Sequence, residues 1–260
     1  MTIIGILGLA FTLAFFGLII LFAVVGREQP PPKLRAIPAF NKLRRSIGLA
    51  VESGSRLHLS IGRGNLTGPE SAVAFVALSV LERLIKLTST SDRPPTATTG
   101  NASLAIVSQD TLIGTYRDIG ISDRYTPTAG QLTGFTPLSY AAGTTPIIQD
   151  EKTNTHILIG NFGNEIALIT DAGERSGDLT LAGTDNLPAQ AILYATAEEP
   201  LIGEEVFASG AYLRAGLMHF ASLRAQDILR WLLVIIILAG SALKIAGLDQ
   251  IFTNLLGGLQ

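Results

Sequence analysis

"RLHLSIGRGNLTGPESAVAFVALSVLERLIKL", residues 56–87, decides the fold. Its first seven residues, RLHLSIG, read as a short buried strand. Glycines 62, 64 and 68 then turn the chain. Val73, Val76, Val80, Leu84 and Leu87 follow at helical spacing, with Ala77, Leu81 and Ile85 beside them. Thr67 is the expected N-cap, with Pro69 and Glu70 in the first turn. Strand, glycine turn and amphipathic helix together make the opening unit of a parallel sheet covered by helices.

The pattern continues downstream. PPTATTG (94–100) is a second strand, and NASLAIVSQDTLIGTYRDIG (101–120) a helix opened by Asn101 and stopped by Gly120. THILIGNFG (155–163) is a strand, NEIALITDAGERSG (164–177) a helix and DLTLAGT (178–184) a strand. NLPAQAILYATA (186–197) and EPLIGEEVFASGAYLRAG (199–216) read as further helices, with Pro200 at the first position of the second. The Pro/Gly/Thr-rich stretch 122–146 carries no readable period. Strands alternating with helices define an α/β domain with a mainly parallel sheet.

Both ends of the chain differ from this. Charged residues make up 15 % of the sequence, below the roughly 25 % of soluble domains, and the deficit is local. Residues 2–26 form an uncharged apolar run, and 228–252 form a second one holding only Arg230, Lys244 and Asp249. About 20 such residues cross a bilayer as a helix. A cleaved signal peptide would need a basic leader before the run, and none is present. Lys244 can snorkel to the interface and Trp231 can sit in it. Gly240, Ser241 and Ala242 are small enough to admit a neighbouring helix.

The layout read from these features has a transmembrane helix at 1–26 and a basic, proline-rich juxtamembrane linker at 27–48. A cytoplasmic α/β domain at 49–222, a second transmembrane helix at 223–252 and a tail at 253–260 follow. Between positions 27 and 45 six basic residues stand against one acid, Glu28, and Arg224 and Arg230 flank the second span on the same side. The positive-inside rule then puts the domain in the cytoplasm and both termini outside, in a cell inner membrane. From 46 to 227 there are 11 basic and 19 acidic residues, the wrong balance for a nucleic-acid partner. The sequence contains no cysteine.

Three places invite chemistry. Gly62, Arg63 and Gly64 resemble a phosphate cradle, but the spacing is GxGxxxG rather than GxGxxG, and no acid follows the next strand to hold a ribose. Gly160, Gly163 and Glu165 repeat the arrangement after another strand. Both turns fall at the carboxyl edge of the sheet, where ligands bind. Glu165 is a candidate base or metal ligand, and a carboxylate stabilising the head of its helix is the favoured reading over either. Glu204, one of four glutamates in AEEPLIGEE (197–205), is the third candidate, set against a solvated or structural role. His58, His156 and His219 are far apart and form no HExxH; no GxxxxGK[ST] or GxSxG occurs. No cofactor, metal or catalytic residue is expected.

LIGNFGNEIALITDAGERSG (158–177), LAGTDNLPAQAILYATAEEPLIGEEVFASGAYL (181–213) and SLRAQDILRWLL (222–233) resemble, in order, an uncharacterised prokaryotic membrane family classed as a domain of unknown function. The resemblance implies an initial span, a basic juxtamembrane stretch and a final span, and transfers no activity. The expectation is a membrane-anchored scaffold or assembly protein, self-associating through its α/β domain in contact with the bilayer or other membrane proteins. The alternative is a tethered enzyme or sensor that binds a small anionic ligand at the glycine turns. A transport subunit is disfavoured, since two spans with almost no polar side chains offer no pathway.

Overall fold

The computed structural model describes residues 3–27, 34–150 and 152–245. They form two compact units, one spanning residues 34–215 and the other built from the two ends of the chain. In chain order the elements are α1 (Ile3–Val25), α2 (Pro38–Ser53), β1 (Arg56–Gly62), α3 (Ser71–Leu87), β2 (Thr96–Thr99) and α4 (Ala102–Asp118). Then come β3 (Gly130–Leu132), α5 (Pro137–Ile148), β4 (Thr153–Asn161), α6 (Ile166–Ser176) and β5 (Leu179–Gly183). The chain continues through α7 (Leu187–Thr196), β6 (Glu199–Leu201), α8 (Ser209–Tyr212) and α9 (Leu217–Ile245).

All six strands pair in parallel, in the order β3-β2-β1-β4-β5-β6. Winding therefore runs outward from β1 to one edge, returns to its other side, and runs to the opposite edge. The reversal lies between β1 and β4. Side chains alternate across the sheet. Leu57, Leu59, Ile61, Ile157 and Ile159 join one core with residues of α2, α3 and α4, whereas Leu158 and Ala182 join a second with α5, α6 and α7. The sheet is covered on both faces, as a parallel sheet must be.

Helix α2 corrects the expected linker. Residues 38–48 belong to the domain, because Phe40, Leu43, Ile47 and Ala50 form a buried stripe that packs on β1, β4, β5 and β6. Pro38 opens this helix, and Gly54, in the left-handed region, closes it. Its basic side chains work within the domain: Lys42 pairs with Glu198 and Glu199, and Arg44 donates to the Tyr212 carbonyl. Phe40 stacks on Tyr212 at 4.6 Å, and the Tyr212 hydroxyl donates to the Arg35 carbonyl at 2.7 Å. The two ends of the 34–215 unit are thus tied to each other. Residues 28–33 of the expected linker lie outside the described residues.

Three local readings also change. Helix α3 starts at Ser71, so Thr67 lies in the preceding loop and caps nothing. The stretch 199–216 is not one helix but edge strand β6, a 3-10 turn (Gly203–Glu205) and α8. Pro200 is tolerated there because an edge strand need not donate on its outer side. The unreadable stretch 122–146 holds two 3-10 turns, β3 and most of α5, which Thr136 and Ser139 open with a capping box. Asn101 caps α4 as expected, accepting from the Ser103 and Leu104 amides.

In the other unit, α1 and α9 lie alongside each other. Each is long and apolar enough to cross a membrane, and large apolar side chains such as Phe11, Phe16, Trp231 and Ile237 are exposed. A helix that is apolar on every side and unburied by protein is suited to lipid. Residues 246–252 of the expected second span, and the tail 253–260, lie outside the described residues.

Candidate functional site at the β1–β4 crevice

Ligands of open parallel sheets bind beyond the carboxyl ends of the strands, where the winding reverses. Here that point lies between Gly62, the last residue of β1, and Asn161, the last of β4. The two strands approach so closely that a Cβ on Gly160 would collide with the Ile61 carbonyl. Gly62 is in the left-handed region, at φ 78°, and a Cβ there would strike the Asn161 carbonyl. The Arg63 amide donates to the Asn161 carbonyl at 2.9 Å, and the Gly62 carbonyl accepts from the Gly100 amide at 2.9 Å and the Thr99 hydroxyl at 3.0 Å. The ends of β1, β2 and β4 are locked together.

Arg63 crosses this junction. Its Nη1 lies 3.2 Å from Glu165 Oε1, and the Glu165 side chain is only 3 % exposed. The Gly163 amide donates to the same oxygen at 3.0 Å. Glu165 immediately precedes α6, so the positive end of the helix dipole adds to these contacts. The arginine is incompletely matched, because its buried Nε has no hydrogen-bond partner. Beside the pair, Asn161 donates to Asp185 Oδ1 at 2.9 Å.

Six of the seven residues singled out from the sequence meet here: Gly62, Arg63, Gly64, Gly160, Gly163 and Glu165. Gly64 packs on the Asn161 side chain, 3.0 Å from where its Cβ would lie. Glu204 stands apart, in the 3-10 turn after β6, and β5 separates that strand from β4. The loop from 63 to 70 is too long for the tight strand-to-helix turn of a dinucleotide fingerprint.

A family comparison covers nearly all of this architecture. Residues 4–255 match the model of a family described as a domain of unknown function, DUF6754. The chain belongs to this family. No curated protein and no solved structure matches it. The match takes in α1, the α/β unit and α9 of the DUF6754 chain, in keeping with the two-helix layout that the resemblance implied.

Beneath the crevice the DUF6754 domain holds a buried polar seam that the sequence reading missed. Ser60 and Tyr140 share a hydrogen bond. Burial foremost, with the Glu165 charge adding to it, pushes the Tyr140 hydroxyl up to about 12, against the opposing hydrogen bonds of Ser60, Thr98 and the Gly62 backbone. Thr98 also meets His58 Nε2 at 2.8 Å. His58 and His156, far apart in sequence, are register partners on β1 and β4 and meet edge to face at 5.6 Å. His156 Nε2 then lies 3.3 Å from Asp178 Oδ2. Both Nδ1 atoms are buried without a partner. His219 is elsewhere, on α9. No sequence motif announces this pair, since only the pairing of β1 with β4 creates it.

Burial, and secondarily the nearby His156, holds His58 well below its ordinary value of 6.5. It is therefore neutral in the folded chain at pH values where the unfolded chain would protonate it. Its contribution to stability is complete above about pH 6.5 and is lost as pH falls below it, by up to about 1.4 kcal/mol per pH unit. Thermal melts of the full chain in detergent between pH 5 and 7.5 should show this decline, and His58→Gln should flatten it. An equally steep decline in the variant would assign the dependence to other groups.

Proposed function

We propose that the DUF6754 chain is a membrane-anchored binding protein or sensor whose α/β domain takes a small anionic ligand at the β1–β4 crevice. One observation carries the reading: the two glycine turns converge at the winding reversal, around a buried Glu165 paired with the half-buried Arg63. Withdrawing Glu165 from water costs desolvation that the Arg63 charge, the Gly163 amide and the head of α6 offset only in part. The partly unmatched Arg63 is the cation that a ligand would recruit. Glu165 would then remain compensated by the Gly163 amide and the head of α6.

A thermal-shift screen of the full chain in detergent, with nucleotides and sugar phosphates against their uncharged counterparts, tests this. At a ligand concentration 100 times Kd, binding stabilises the fold by about 2.7 kcal/mol, a readable shift. Arg63→Ala should abolish the shift and leave the melt cooperative. A shift that survives this variant, or no shift with any anion, refutes the reading. Gly62→Val is a poor probe, because its Cβ collides with backbone.

A second reading, assembly through the α/β domain, is favoured by exposed apolar side chains beside a groove. Leu138 is 71 % and Leu168 49 % exposed, and both line an open groove between α5 and α6 with Ala141, Ala142 and Ala172. Mass photometry of gently solubilised protein should then find oligomers that Leu138→Glu reduces to single chains; monomers alone would dismiss assembly.

We also propose, from the basic residues around positions 27–45, that the domain faces the cytoplasm of a cell with an inner membrane. The native chain lacks cysteine, so Asp150→Cys gives a single label site. It should react with a membrane-impermeant reagent only after the cells are opened; labelling of intact cells reverses the orientation.

A further inference from the structure

The groove between α5 and α6 opens beside the β1–β4 crevice. Its volume is about 290 Å³, and Leu138, Ala141, Ala142, Leu168 and Ala172 supply its apolar lining. Both leucines stand at the crevice end. Leu168 lies one turn past Glu165, and its amide donates to the Glu165 carbonyl at 3.1 Å. Leu138 is in the first turn of α5, two residues before Tyr140, which shares a hydrogen bond with Ser60 beneath the crevice.

Phe135, 66 % exposed, carries the apolar surface toward the cation. It follows Gly134, whose carbonyl lies 3.0 Å from the point where a Cβ on Gly100 would sit, and the Arg63 side chain packs against the same point. At the other end of the groove polarity returns, with Thr145 and Gln149 and then the Asp171–Arg175 ion pair. From Leu138 to Thr145 a helix rises about 10 Å, room for a hydrocarbon chain of octyl size. A cation, an apolar trough and a polar stop therefore follow one another. A free phosphate satisfies only the cation, and a second copy of the chain only the exposed apolar side chains. An amphiphile satisfies both.

We infer that the crevice ligand is a single-chain amphiphile of the alkyl or acyl phosphate class. Its phosphate sits at Arg63 and its hydrocarbon chain lies between α5 and α6. The assignment rests on the anion site proposed for the crevice and names the ligand of that site. Helices α1 and α9, long and apolar enough to cross a membrane, put such molecules within reach of the chain. Exposed apolar side chains gathered at a groove mark a binding surface. A methylene fully withdrawn from water tightens binding about fourfold. The extra methylenes of octyl over ethyl phosphate, half covered in an open groove, then favour it by more than about tenfold.

Isothermal titration of the full chain in phosphatidylcholine nanodiscs tests the assignment, with octyl phosphate, ethyl phosphate and octanol as probes and empty nanodiscs subtracted. Octyl phosphate should saturate at least about tenfold tighter than ethyl phosphate, and octanol should not saturate. Leu138→Gln and Leu168→Gln place neutral side chains at exposed positions, and each should bring the two phosphate affinities within about twofold of each other. Arg63→Ala should abolish both, with a circular-dichroism melt confirming the fold of each variant. Equal affinities for the two phosphates, lost in Arg63→Ala, would keep the anion site and overturn the amphiphile. Saturation by neither phosphate would overturn both. An octyl advantage that survives in both leucine variants would overturn the inference. So would oligomers that these variants dissolve, found by mass photometry without an octyl advantage, since a second copy would then fill the groove.

Discussion

The pairing of β1 with β4 is the constraint on which the remainder of the domain rests. These strands lie about 100 residues apart in sequence, and their alignment fixes the centre of the sheet, the reversal of winding and both cores. It tolerates no side chain at Gly160 and none at Gly62, since backbone atoms occupy the space. The same alignment brings Arg63 to Glu165 at the carboxyl end and sets His58 against His156 near the middle. Crevice and polar seam are therefore consequences of one pairing. A slip of β4 by a single residue against β1 would turn His156 to the face opposite His58 and break the pair.

The polar character of that seam departs from the usual interior of a parallel sheet. On the face covered by α2, α3 and α4, β1 contributes Leu57, Leu59 and Ile61; on the other it contributes His58 and Ser60. A stack of hydrogen-bonded polar groups is worth little as net stability, but it penalises any arrangement that leaves one member unmatched. It also sets two hydrogen-bonded pairs, Ser60 with Tyr140 and Thr98 with His58, beneath the crevice.

The parts of this architecture that were legible in the sequence are those with a strong period. β1, α3, α4, β4, α6, β5 and α7 all stood out, because buried parallel strands are apolar throughout and their covering helices carry a continuous stripe. Helix α2 is masked although Phe40, Leu43, Ile47 and Ala50 have the right spacing, because Lys42, Arg44 and Arg45 between them give the segment the composition of a juxtamembrane topology signal. Strands β3 and β6 have three residues each, too few to show a period. The glycines of the crevice could be found from their turns. Asn161, Asp185, Tyr140 and the histidine pair could not, because nothing local distinguishes them and only tertiary register assembles them.

The knot of Arg35, Phe40 and Tyr212 has a mechanical meaning. Because the first and last parts of the α/β unit grip each other, the two ends of that unit lie side by side. Phe40 is also a member of the core under α2, so parting those ends would open the core at that corner. The clasp thus joins the closure of the unit to the packing of its sheet.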